Sequence, residues 1–194
     1  MSDLPVNAES RVYLLVLLDA CCLLNLCATR LIVDILRALP LRFAVADRAA
    51  AEVRYLRRGG DGQDADVREP IDIQPLVAVG LLDIFAFATT DEEASFVNFA
   101  ANIDDGEAMT CALAWHRQAA VATDDLKTLR ILRALAPPLP TYTTANLLRQ
   151  WADEQKVAGP DLKRVLVDIE ERARFVPGRH DPLRLWWLTA KREG

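Results

Sequence analysis

The chain is 194 residues long, enough for one domain of ordinary size and short for two. Hydrophobic residues make up 52% and charged residues 26%, which excludes disorder for the bulk of the chain, and eight Gly and ten Pro without a period exclude collagenous or low-complexity architectures. Acids outnumber bases 28 to 23, a net charge of −5, which is not the profile of a general nucleic-acid coat.

In chain order, Val12 to Leu18 is a continuous apolar run of strand length, as at the centre of a parallel sheet covered on both faces. Ala20 to Leu39 reads as a helix ending before Pro40. Arg42 to Ala46 reads as a second strand, Arg48 to Arg58 as a helix, and the Gly- and Asp-rich stretch Gly59 to Pro70 as a loop. Ile73 to Gly80 suggests a short helix and Leu81 to Phe87 a third strand. Asp91 to Ala101 and Glu107 to Gln118 read as helices around a turn at Asp104-Asp105-Gly106. Ala120 to Ala122 is a brief strand, Leu126 to Leu135 a helix stopped by Pro137-Pro138, and Thr141 to Thr143 a last strand. Beyond Thr144 the pattern turns helical: Ala145 to Lys156, a break at Gly159-Pro160, Asp161 to Phe175, and a Trp-containing tail. The alternation predicts an α/β protein, a mostly parallel sheet flanked by helices, in one domain over residues 1–194 with a core at about 10–144 and a helical extension at about 145–194.

The run from Val12 to Ala28 is about a turn short of a membrane span, would place Asp19 and Asn25 in hydrocarbon, and is preceded by a single base, Arg11. Neither a span nor a signal peptide is expected, and the protein should be soluble and cytoplasmic. Cys21, Cys22, Cys27 and Cys111 form no CxxC pair and read as buried thiols. Two distant histidines, His116 and His180, disfavour a zinc site, and three serines leave little room for a Ser-His-Asp triad. Gly59-Gly60-Asp61-Gly62 follows no strand and is not a phosphate-binding loop. Charge is uneven: Met1 to Asp125 holds 20 acids and 10 bases, and Leu126 to Gly194 holds 8 acids and 13 bases.

Open parallel sheets carry their sites beyond the carboxyl ends of the strands. Acids recur there: Asp19 in LDACCLLNL, Glu52 in AAAEV, Asp104, Asp105 and Glu107 in DDGEAMTCALA, and Asp124 and Asp125 in VATDD. Singly, most read equally well as helix caps: Asp19 ahead of Ala20, Asp104 with Glu107 as a capping box, Thr123 or Asp124 ahead of the following helix. Glu52 stands apart, a carboxylate among Ala49, Ala50, Ala51 and Val53. Jointly, so many carboxylates in one volume repel one another unless cations neutralise them, and oxygen ligands without His or Cys suit Mg²⁺ or Mn²⁺.

With these four segments in this order, the chain resembles a PIN-domain ribonuclease over roughly Val12 to Thr144. The GEA form of the third segment and the helices after Thr144 are most similar to a prokaryotic subgroup of that family. The resemblance implies an α/β/α sandwich that cleaves single-stranded RNA with Mg²⁺ or Mn²⁺. Many family members are VapC-type toxins neutralised by a small antitoxin. Carried across, Asp19, Glu52, Glu107 and Asp125 take the main acidic positions, catalytic and metal-holding, with Asp104 and Asp124 as further metal ligands. Thr123, Arg57 and Arg58 are the substrate-side candidates, and a homodimer is expected. Two departures stand out: Glu107 where the family mostly has Asp, and Cys21 where Ser or Asn often follows the first Asp. The competing expectation is a non-catalytic protein of this fold that binds RNA or a protein partner. A haloacid-dehalogenase-like enzyme is disfavoured, because Asp19-Ala20-Cys21 lacks its second Asp. Trp186 and Trp187 are expected to pack against the core or a second subunit, and His116 to be structural or exposed. Leu147, Leu148, Trp151, Leu162, Val165, Leu166 and Ile169 fall at helical spacing, so the extension should pack on the core and be non-catalytic.

Overall fold

The computed structural model describes residues 14–59 and 67–193. The first half runs β1 (Leu14–Leu18), α1 (Ala20–Ala28), α2 (Ile32–Ala38), β2 (Leu41–Ala46), α3 (Asp47–Glu52), β3 (Tyr55–Arg57), β4 (Arg68–Pro70), α4 (Gln74–Ala78) and β5 (Asp83–Phe85). It continues through α5 (Thr90–Ala100), α6 (Asp105–Arg117), β6 (Ala120–Ala122), α7 (Leu126–Ala134), β7 (Thr141–Tyr142), α8 (Thr144–Gln155), α9 (Gly159–Arg172) and α10 (Arg184–Glu193). The expected start of the first strand at Val12 and the Gly60-Asp61-Gly62 part of the loop lie outside the described residues.

Five strands form one parallel sheet in the order β5-β2-β1-β6-β7. β1 is central, and Val16, Leu17 and Leu18 are wholly buried, which is why its sequence is apolar without alternation. The chain moves from β1 outward through β2 to β5, then returns to place β6 on the other side of β1. Right-handed crossovers in opposite directions put helices on opposite faces, giving three α/β/α layers. Helix α6 packs on β1, β2 and β6, while α1, α2, α8 and α9 pack with one another. The expected fold class holds.

Three local readings are corrected. The helix expected from Ala20 to Leu39 is two, because the Thr29 hydroxyl turns back to the Leu26 carbonyl at 2.6 Å and Arg30 adopts a left-handed φ of 61°. The helix expected through Arg58 ends at Glu52. Tyr55–Arg57 instead pairs antiparallel with Arg68–Pro70, inside the stretch read as a loop. Strand pairing and the burial of Leu56 override local helical propensity there. Of the four cysteines, Cys22 and Cys111 are buried as expected, whereas Cys21 is exposed and Cys27 half-buried.

The extension joins the same apolar core: Leu147, Leu148, Trp151, Val165, Leu166 and Ile169 are buried in it. The tryptophan pair divides. Trp187 is fully buried, edge-on to Phe175 at 5.7 Å, with its indole N–H donating to Glu170 Oε1 at 2.8 Å. Trp186 is half-buried beneath the Arg149 guanidinium, 5.3 Å from its centroid. Truncating Trp187 to Ala should therefore cost about 3–5 kcal/mol, and Trp186→Ala less than half of that, read from chemical denaturation midpoints. Equal losses at the two positions would mean that α10 is not anchored as described.

Candidate active site

The reversal of strand order falls between β1 and β6, and the acids gather at the carboxyl ends of those two strands. Asp19 directly follows β1, its backbone N–H donating to the Ala122 carbonyl at the end of β6 at 3.0 Å. Register thus brings Asp19 beside Thr123, Asp124 and Asp125. Glu107 lies in the first turn of α6, and Glu52 ends α3. The Arg48–Asp105 ion pair at 2.9 Å ties α3 to α6.

Three of the acids are helix caps as well as site residues. Asp19 accepts from Cys22 N at 2.6 Å, Asp104 from Glu107 N at 2.9 Å, and Asp125 from Thr128 N at 2.7 Å. The third cap is Asp125 rather than Thr123 or Asp124. Glu107 and Glu52 cap nothing. Glu107 Oε2 accepts the Thr128 hydroxyl at 3.0 Å, so the other half of the expected capping box is spent across the site. Glu52 is exposed, and its carboxylate lies against Gly106: a Cβ there would sit 2.5 Å from Oε1. Gly106 is therefore the reason Glu52 can approach α6.

Asp124 is held differently. It accepts from Thr144 N at 2.9 Å, Asn25 Nδ2 at 3.1 Å, Cys22 Sγ at 3.4 Å and the Thr144 hydroxyl. Its carboxylate clamps α1 and α8 to the end of β6. Thr123 is fully buried: its hydroxyl accepts from Asp125 N at 3.1 Å, so it positions Asp125 and is out of a substrate's reach. Arg57 lines a cleft beside Glu52, but Arg58 is not among the residues of that cleft and pairs with Glu69 at 3.4 Å. His116 is exposed, its Nε2 2.8 Å from Ser95 Oγ.

The carboxylates feel one another. Burial, reinforced by the charges of Asp124 and Glu107, pushes Asp19 up to about 7. Glu107 is raised by burial and by Asp104, Asp125 and Glu52; Glu52 is raised by burial and by Asp104 and Asp105. Burial also raises Asp124, against its four hydrogen bonds.

The donor chemistry, oxygen-only carboxylates in mutual repulsion, fits a hard divalent cation. The side-chain positions leave it open, since among the described residues no group of three or more His, Cys, Asp or Glu stands ready to hold a metal ion. Thr128, Asn25, Thr144 and Gly106 were not singled out as site residues in sequence. A polar Asn25 inside an apolar run was the one available signal. No protein-family model and no curated protein matches the chain.

Two outcomes are expected. Gly106→Ala should leave the fold intact, since the atom it displaces is the end of a flexible side chain and Ala favours a helix by about 1 kcal/mol. Its thermal midpoint should hold or rise while Glu52 is driven off α6, and an unfolded variant would contradict the contact. Asp19 has a folded pKa raised above its unfolded one, so its contribution is fully present below about pH 4 and lost as pH rises through about 7. In chelator the protein should lose stability between pH 5 and 8 by a few kcal/mol, because each tenfold difference in proton affinity between the folded and unfolded chain is worth about 1.4 kcal/mol. Asp19→Asn, which preserves a capping oxygen, should flatten that slope and be the more stable form at pH 8. A slope unchanged in the variant would place the titrating group elsewhere.

Proposed function

We propose that the chain is a metal-dependent endoribonuclease that hydrolyses phosphodiester bonds of single-stranded RNA. The observation that carries this reading is the placement of Asp19, Asp124 and Asp125 at the adjacent carboxyl ends of β1 and β6, where strand order reverses, with Glu107 in the first turn of α6 and Glu52 at the end of α3 beside it. Asp19, Glu52, Glu107 and Asp125 would hold Mg²⁺ or Mn²⁺, with Asp104 and Asp124 beside them. Such an ion supplies charge neutralisation at phosphate and an acidified water. The chain's own part is positional. Cys22 N orients Asp19, and the Thr128 hydroxyl orients Glu107. Glu107, half-buried, with its proton affinity raised by burial and by Asp104, Asp125 and Glu52, faces the site from the first turn of α6.

The family resemblance extends the proposal to a cytoplasmic, homodimeric toxin restrained by a small antitoxin. No helix among the described residues is long and apolar enough to cross a membrane, which is compatible with it. A second reading, a non-catalytic RNA- or protein-binding domain, draws on the lack of a ready three-ligand group among the described residues.

Cleavage of labelled single-stranded RNA in Mn²⁺ separates them. Asp19→Asn and Glu107→Gln should each slow it by about 10²–10⁴-fold with the fold retained, and exposed Asp47→Asn should not. RNA bound but never cut by the wild-type chain would favour the second reading.

A further inference from the structure

Beside the acidic site lies an open cleft of about 670 Å³, walled by the β3–β4 hairpin on one side and by the end of α9 on the other. Its inner end is shared with the acids, through Glu52, Cys21 and Asn25. We propose that this cleft seats the sugar-phosphate backbone of a single-stranded RNA, and that the C-terminal extension supplies one of its walls. The proposal rests on the ribonuclease reading and gives its substrate a path.

Charge is the first argument. Five arginines line the cleft, Arg54, Arg57, Arg68, Arg172 and Arg174, against the single carboxylate of Glu52 among the described lining residues. A protein with a net charge of −5 has gathered guanidinium groups next to its densest acids. Planar guanidinium forks match phosphate oxygens, and a focused positive groove offsets the repulsion an RNA meets from the carboxylates. Arg172 is buried, donating to the Ala28 carbonyl at 2.7 Å and to Glu69 at 2.8 Å, and so braces the wall, and the Arg54 Nε donates to the Ala51 carbonyl at 2.7 Å.

Strand register is the second. Arg57 and Arg68 stand directly opposite each other in the antiparallel pair, hence on one face of the hairpin. A phosphate lying across the two strands would meet both guanidinium groups at once. Tyr55, two residues before Arg57, shares that face and is 54% exposed. An exposed ring interleaved with arginines is the arrangement that stacks bases while tracking phosphates.

The third is the turn after α9. Arg174 adopts a left-handed φ of 56°, a conformation that costs a side-chain-bearing residue and that glycine usually fills at a helix end. At this helix end an arginine occupies that position, and it lines the cleft.

The test uses the full-length chain with Asp19→Asn, so that RNA stays uncut, and a fluorescein-labelled 15-nucleotide mixed-sequence RNA followed by anisotropy across KCl concentrations. Arg57→Gln with Arg68→Gln should weaken binding at least tenfold and take roughly 1.4 off the log–log salt slope, about 0.7 for each phosphate no longer neutralised. The exposed single variants Arg68→Gln and Arg174→Gln should each show a share of the effect, and Tyr55→Ala should weaken binding about fivefold or more. Arg133→Gln, on the exposed face of α7 and outside the cleft, should change neither quantity by more than its own error. Affinity and slope unchanged in a folded double variant would overturn the proposal. So would displacement of the RNA by poly-glutamate at equal charge concentration, which would mark a seat for an acidic protein. The two readings fail separately: RNA held in the cleft but never cut by the wild type removes the nuclease alone. Cleavage with unchanged KM by an Arg57/Arg68 double variant that keeps the native Asp19 removes the cleft alone.

Discussion

In a parallel sheet crossovers are right-handed almost without exception, and a chain that has built outward from β1 to β5 can add strands beyond β1 only by reversing direction. That reversal leaves the carboxyl ends of β1 and β6 adjacent with no connection passing over them. The Asp19 N–H to Ala122 carbonyl bond fixes how far each strand runs before it ends. Everything placed at the crevice follows: Asp19 leaves β1 at the level where β6 releases Thr123, Asp124 and Asp125.

The crevice makes acids serve two purposes. Asp19, Asp104 and Asp125 each give an oxygen to the first turn of α1, α6 or α7, and those same carboxylates form the site. Helix N-termini favour nearby negative charge, which offsets part of the repulsion of collecting it. Asp124 lies further along this line. Four donors from α1 and α8 converge on it, so the last acid of the sheet is the point at which the C-terminal helices are attached. Folding of the extension and geometry of the site are coupled through one carboxylate.

Arg172 performs the complementary attachment at the other end of the extension. Its guanidinium reaches the carbonyl end of α1 and Glu69 of the hairpin, while Trp187 closes the apolar seam behind it. Helices α8 and α9 thus belong to the core by their buried faces, and α9 also belongs to the cleft by its last turn.

The sequence by itself determined the layer architecture and the acids' order along the chain. Uninterrupted apolar strands such as Val16-Leu17-Leu18 can be satisfied only by cover on both faces, and helical spacing in α8 and α9 demanded burial wherever the helices docked. Acids at strand ends were legible because parallel topology sends every strand's carboxyl end to one side. What tertiary structure alone decided were the choices that depend on a distant partner. Tyr55–Arg57 is a strand because Arg68–Pro70 is there to pair with it, and Ala20–Ala38 breaks because the Thr29 hydroxyl competes with the helix for the Leu26 carbonyl. Thr123 turns inward, where its hydroxyl accepts from the Asp125 N–H. Arg57 and Arg58, neighbours in sequence, part company where β3 ends at Arg57. One lines the cleft, and the other is held by Glu69 outside it. Gly106 matters only through a carboxylate 54 positions earlier, a contact that no local pattern encodes and only the packing of α3 on α6 creates.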